Sequence, residues 1–188
     1  MSAAFIPTRT RITTDRYQMM VATGVLTKYD RVELIEGEMF DMAPIGTRHS
    51  AITSRLNELL VLALARSATV VVGGPVNLGE FSEPQPDLML LKRRGDFYSS
   101  KIAEAADVLL LIEVSDSSLS FDQGVKLNLY ARYGVTEYWV VDVEGKRVVT
   151  YREPTANGFV RALEFTTADV VVPLAFPAVK IAVGEVFG

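Results

Sequence analysis

The stretch Pro86-Asp87-Leu88-Met89-Leu90-Leu91, followed by Val108-Leu109-Leu110-Leu111-Ile112-Glu113-Val114-Ser115, decides how this chain folds. Runs that are apolar on both faces suit strands in the interior of a sheet that is covered on both sides. Each run carries a carboxylate at one end, and a carboxylate there is costly to place unless something binds it. Ser115, two residues beyond Glu113, falls on the same strand face. A polar loop, Ser117 to Ser120, leads into a helix that Ser120 or Asp122 can cap and that ends at Gly134. On it Asp122, Lys126 and Tyr130 are spaced by four and share one face. The strand Glu137 to Asp142, which contains the single tryptophan, Trp139, closes the stretch.

If the strands of Asp87 and Glu113 are neighbours, the two carboxylates meet at one sheet edge. With waters they then form a suitable site for Mg²⁺ or Mn²⁺. Such an ion polarises a phosphoryl oxygen and lowers the pKa of an attacking water. A lysine nearby orients that water or stabilises the developing charge. This is the chemistry of phosphodiester hydrolysis.

Upstream, Thr13 or Thr14 can cap a short amphipathic helix with Tyr17, Met20 and Val21 at helical spacing and Gly24 near its stop. Residues 1–12 show no periodic pattern and read as a loosely held arm. Arg31 to Met42 alternates around Glu36-Gly37, a hairpin turn in which Glu36 is on its own a solvated residue. A longer helix runs from Thr47 to about Arg66, with Ile52, Leu56, Leu59, Leu60, Ala63 and Leu64 as its apolar stripe. His49 lies in its first turn, either as a surface histidine or near an anion drawn by the helix dipole. Thr69 to Val72 is a short strand, Val76 to Phe81 can pair with a neighbour, and Lys101 to Ala106 reads as a helical turn or loop. Lys92-Arg93-Arg94 reads as a solvated loop or a phosphate contact. Downstream, Glu144-Gly145 turns the chain into Arg147 to Tyr151, Phe159 to Phe165 adds an antiparallel strand, and Val170 to Gly188 carries no evident chemistry.

With 188 residues, the size prior favours one domain over 1–188, and a 49% hydrophobic, 22% charged composition supports a sizeable core. Absence of cysteine removes disulfides, thiolate zinc sites and a cysteine nucleophile. One histidine leaves no room for a multi-histidine metal site, and no Gly-x-Ser-x-Gly elbow accompanies it. A net charge of −4 argues against phosphate binding over the whole surface. The longest apolar run, Leu59 to Ala65, is far short of a membrane span, and with no signal-like start a soluble, cytoplasmic protein is expected.

Pro86-Asp87, Leu111-Ile112-Glu113-Val114-Ser115, Asp122, Lys126, Tyr130 and Gly134-Val135-Thr136-Glu137-Tyr138-Trp139 together resemble the restriction endonuclease family called the Uma group, within the PD-(D/E)xK nuclease superfamily. The similarity extends from about Leu34 through Tyr151. It implies a mixed α/β fold with a restriction-endonuclease-like core over 31–151. In that fold a central mixed β-sheet is flanked by helices, with an N-terminal helix and hairpin and a C-terminal antiparallel extension. It also implies a divalent metal, Mg²⁺ or Mn²⁺, held by Asp87 and Glu113, DNA as substrate and a homodimer matched to two-fold DNA. Ser115 departs from the pattern, because the superfamily has lysine there; the resemblance implies that Lys126 supplies it from the next helix. Members carry an acidic residue in the early hairpin and a histidine in the following helix, which match Glu36 and His49. Gln85 is a further candidate. The alternative reading, motivated by Ser115 and the acidic charge, is a catalytically silent module that binds nucleic acid or protein on the same fold.

Overall fold

A computed structural model of the chain describes residues 9–27 and 29–188. Residues 1–8 of the expected arm lie outside the described residues. The rest of that arm is tied to the hairpin, where Ile12 N–H donates to the Gly37 carbonyl at 2.9 Å and Arg11 Nε to the Glu36 carbonyl at 2.8 Å.

The local signals set the first elements. The Thr13 hydroxyl accepts from Arg16 N–H and starts α1 (Thr14–Ala22), and Gly24 follows its end with φ +76°. The buried Tyr17 hydroxyl donates to the Val32 carbonyl at 2.8 Å, fastening α1 to the hairpin of β1 (Val32–Ile35) and β2 (Glu38–Asp41). Glu36 and Gly37 both take positive φ at the turn, +53° and +83°, as a two-residue hairpin loop of this kind requires. α2 (Thr47–Leu64) starts at Gly46 and ends where Ala65 turns left-handed, and it buries Ile52, Leu56, Leu60 and Leu64.

β3 (Ala68–Val72), β5 (Leu88–Lys92), β7 (Val108–Ser115), β8 (Glu137–Asp142), β9 (Arg147–Thr155) and β10 (Gly158–Thr166) form one sheet in the order β10-β9-β8-β7-β5-β3. Its β7–β8 pair is parallel and the other pairs are antiparallel, so the sheet is mixed. Two-residue β4 (Val76–Asn77) pairs in parallel with β6 (Ala103–Glu104) outside it. The helical turn expected across Lys101 to Ala106 is instead β6 followed by a 3₁₀ turn at Ala105–Asp107. Between β7 and β8 the chain crosses as one helical segment: α3 (Leu119–Phe121), a π turn (Asp122–Lys126) and α4 (Leu127–Arg132). This helix therefore starts before Ser120, with Ser118 at its N-cap and Asp122 inside it. The tail contributes the pair β11 (Val170–Val171) and β12 (Ile181–Ala182), then α5 (Val183–Phe187).

Side chains alternate across the sheet with a period of two. Leu88, Leu90, Leu110, Ile112 and Val141 pack with Leu56 and Leu60 of α2. Met89, Leu91, Leu111, Tyr138 and Val140 pack on the other face with Leu129 and Tyr130 of α4. The register pairs Leu88 with Ile112 and Met89 with Leu111, so Asp87 and Glu113 stand at one end of adjacent strands. No helix among the described residues is long and apolar enough to cross a membrane.

Glu83 joins the hairpin to this body through a bridge with Leu34, their backbones exchanging hydrogen bonds of 2.8 and 3.4 Å. Its buried carboxyl accepts from the Gln18 amide through Oε1, while Oε2 has no partner. Burial pushes this carboxyl up to about 7, with the Gln18 hydrogen bond opposing the rise. The native state therefore holds a proton that the unfolded chain, with its carboxyl near 4.5, has released. The favourable contribution is full below about 4.5 and is lost as pH rises through about 7. Glu83→Gln is expected to flatten this part of the stability–pH curve and to stabilise the protein above pH 7, as read by urea denaturation across that range.

Candidate active site

A cavity of about 360 Å³ opens where the hairpin, α2, β5, β7 and the π turn converge. Of the five site residues expected from sequence, Asp87, Glu113, Lys126 and His49 line it. Glu113 enters from β7 with its side chain almost fully buried. Its Oε1 accepts from Lys126 Nζ at 3.0 Å and from the Tyr130 hydroxyl at 2.8 Å. The spacing of four thus brings both Lys126 and Tyr130 to one carboxylate oxygen, although the π turn lies within the segment that carries them.

Lys126 is as deeply buried as Glu113, and its second partner is Glu33 Oε1 at 3.1 Å. Burial alone pulls the ammonium pKa down, but Glu113 and Glu33 outweigh it and hold the lysine above its ordinary value, so it stays charged. Burial pushes the Glu113 carboxyl well above the usual carboxylate range, and the Lys126 charge is what opposes that rise.

Asp87 occupies the step before β5. Its Oδ2 accepts from Val114 N–H at 2.7 Å, which pins it to the end of β7, and its Oδ1 lies 2.9 Å from His49 Nε2. The hydrogen bond to Asp87 raises the His49 pKa against the opposing effect of burial. His49 Nδ1 is buried with no hydrogen-bond partner among the described residues. The first turn of α2 thus delivers the imidazole to the carboxylate at the start of β5.

Ser115 does not reach for the lysine's usual task. Its hydroxyl donates to Asp122 Oδ2 at 2.6 Å, and Ser118 donates to the same oxygen at 2.5 Å. Burial raises the Asp122 pKa while these two hydroxyls pull it down. The acid thereby ties the end of β7 and the following loop to the π turn from which Lys126 projects.

Glu36 is not brought to this cavity. It sits on the hairpin turn, with Oε1 3.0 Å from Arg132 NH1 and Oε2 3.6 Å from Arg11 NH2. The hairpin's acidic residues in the cavity are Glu33 of β1, which lies opposite Phe40, and Asp41 at the end of β2; of these, Glu33 reaches Lys126. Gln85 serves Glu33 through its backbone, its N–H donating to Oε2 at 3.1 Å. The sequence held a signal for Glu33: a lone carboxylate between Val32 and Leu34, in a strand whose other members are mostly buried.

Six carboxylates, those of Glu33, Asp41, Asp87, Glu113, Asp116 and Asp122, line this open cavity with Arg31, His49 and Lys126. The sequence profile of the Uma2 family, described as "Putative restriction endonuclease", matches residues 20–184. The chain belongs to this family. None of the curated proteins matches the chain. Among solved structures, a protein described as a putative nuclease belonging to DUF820, from Anabaena variabilis, is similar with a TM-score of 0.72. At 18% identity it spans 94% of this chain and 97% of its own, so the likeness extends over the whole architecture and shows the fold. As a Uma2 protein, the chain has the central mixed sheet with flanking helices that the resemblance implied. The Uma2 match also takes in α1 after its first two turns, β11 and β12, which the sequence reading left outside the region of similarity.

Proposed function

We propose that the chain is a metal-dependent nuclease that hydrolyses phosphodiester bonds of DNA in the cavity of Asp87, Glu113 and Lys126. The observation that carries this reading is the delivery of Asp87 and Glu113 by adjacent strands to one cavity, with a charged lysine 3.0 Å from Glu113. The family description supports it.

The donor set suits a hard cation. Asp87 and Glu113 offer carboxylate oxygens, and no hydrogen bond from the described residues reaches Glu113 Oε2. Among the described residues no three His, Cys, Asp or Glu side chains are grouped to hold a metal. A magnesium-type site needs only one or two carboxylates, completed by waters and substrate phosphate oxygens. Asp87 and Glu113 would hold the ion, which would polarise a phosphoryl oxygen and lower the pKa of the attacking water.

The chain's own groups do the rest. Lys126 places a fixed positive charge beside the carboxylates, where negative charge grows on the phosphoryl oxygens, in a site that excludes much of the solvent. Glu33 and Tyr130 orient the two members of the Lys126–Glu113 pair. His49 fixes the rotamer of Asp87 from the side opposite Val114.

The test is cleavage of plasmid and oligonucleotide DNA in Mg²⁺ or Mn²⁺, with and without EDTA, beside calorimetric titration of the metal alone. Wild type is expected to cleave only with metal, and Asp87→Asn to lose both cleavage and metal affinity. Cleavage that survives Asp87→Asn overturns the proposal, as does wild-type protein that neither binds metal nor cleaves.

A further inference from the structure

The catalytic cavity presents a difficulty for a polyanionic substrate. Its walls include six carboxylates, those of Glu33, Asp41, Asp87, Glu113, Asp116 and Asp122, against Arg31, His49 and Lys126. The whole chain is also acidic, with a net charge of −4. DNA affinity rests chiefly on neutralising phosphates with lysine and arginine. The grip on the substrate must therefore lie beside the cavity.

A second cavity of about 360 Å³ meets that need. Its lining includes Arg48, Arg55, Val143, Glu144, Lys146 and Phe187, three cations against one carboxylate. Arg48 forms the wall between the two cavities. It lines the second, and its NH2 pairs at 2.7 Å with Asp116 Oδ1, which lines the first. Its NH1 pairs with Glu144 at 3.2 Å, with both side chains well exposed. The exposed pair with Glu144 is weak, so a phosphate can replace that carboxylate. The exposed Arg55 donates to the Phe187 carbonyl at 3.0 Å, and Gly188 packs against its guanidinium. Lys146, at the β8–β9 turn, is exposed and has no partner among the described residues.

Arg48 and Arg55 stand two turns apart on one face of α2, about 10 Å along its axis. Arg48 also occupies the first turn of this 18-residue helix, where the positive end of the dipole adds to its charge.

We propose that this groove, between α2, the β8–β9 turn and α5, binds the phosphate backbone of the DNA strand that flanks the scissile bond. The proposal rests on the nuclease reading of the adjoining cavity. It sets the direction in which the strand leaves the site: over Arg48, then between Arg55 and Lys146. Base edges play no part in it, so the contact is independent of sequence.

Lys146 offers a clean variant. Its φ is +47°, a conformation glycine adopts at no steric cost, so Lys146→Gly removes the charge without straining the turn. Binding of a fluorescein-labelled DNA duplex is followed by anisotropy over a series of salt concentrations, in EDTA so that no turnover occurs. Lys146→Gly is expected to weaken binding several-fold and lower the salt slope by about one, with the melting temperature at or above that of wild type. Adding Arg55→Gln lowers both further. Lys92→Ala/Arg93→Ala, at the far end of β5 from Asp87, leaves both unchanged. Wild-type protein that does not bind DNA overturns the proposal, as does binding indifferent to Lys146 and Arg55. Groove-dependent binding without cleavage removes the nuclease reading and keeps the groove. Cleavage with binding indifferent to the groove variants does the reverse.

Discussion

Lys126→Met is expected to lower the rate of DNA cleavage by about 10²–10³-fold and to destabilise the fold by about 3–5 kcal/mol. Both effects have one origin. Glu33 and Glu113 are buried carboxylates that approach the same ammonium, at 3.1 and 3.0 Å. Methionine fills most of the volume but leaves the two buried carboxyl groups facing each other with no cation between them. Removing one partner of a buried ion pair is strongly destabilising for that reason. The loss has a pH signature. Burial already raises the Glu113 carboxyl, and Lys126 is the main group opposing it. In Lys126→Met the native state therefore keeps a proton on Glu113 that the unfolded chain gives up. Stability falls as pH rises above the ordinary carboxylate value of 4.5. Urea denaturation at a series of pH values measures this, and adding Glu33→Gln is expected to recover part of the loss. A variant as stable as wild type at neutral pH would show that the Lys126 ammonium is not what stabilises the burial of Glu33 and Glu113.

Glu137→Ala is expected to cost a similar amount, about 3–5 kcal/mol, with no direct effect on the chemistry. Glu137 is fully buried on β8, on the sheet face away from Lys126. Its Oε1 accepts from Arg152 Nε at 2.8 Å and from the Trp139 indole at 3.0 Å, and its Oε2 accepts from Leu174 N–H at 2.6 Å. Arg152 also donates to the Val172 carbonyl at 2.7 Å. One carboxylate thus joins two central strands to the tail. Alanine leaves the guanidinium, the indole N–H and a backbone N–H without their acceptor, each a desolvated donor. The expected result is a lower urea midpoint, with amide exchange of residues 170–182 rising more than that of β5 and β7. Glu137→Gln, which keeps an acceptor, is expected to lose less.

These two residues also mark how far the sequence could be read. The apolar runs at Leu88 and Val108 gave β5 and β7, because a strand buried on both faces leaves a continuous signal. Their adjacency, which the site required, is present in the register of Leu88 with Ile112. Glu36 and Gly37 are legible as a turn because turn chemistry is local. What was not legible is non-local. Glu33 reaches Lys126 only because the hairpin folds over the sheet, and nothing within Val32 to Ile35 says where that hairpin docks. Glu137 reads as an ordinary strand residue until Arg152 and the tail close around it. The π turn is invisible for a different reason: Asp122 to Lys126 includes Gly124, a weak helix former, but a weak helical stretch does not by itself announce an i→i+5 turn.

The parallel pairing of β7 and β8 also bears on the order of events when the chain folds. Parallel neighbours need a crossover between them, and here it is the helical segment that carries Asp122, Lys126 and Tyr130. Hydrogen bonds between Glu113's strand and the next cannot form until that segment has crossed the sheet. Pairings of this non-local kind slow folding. The pairing that joins the two halves of the sheet is thus bridged by the same segment that carries Lys126 to Glu113.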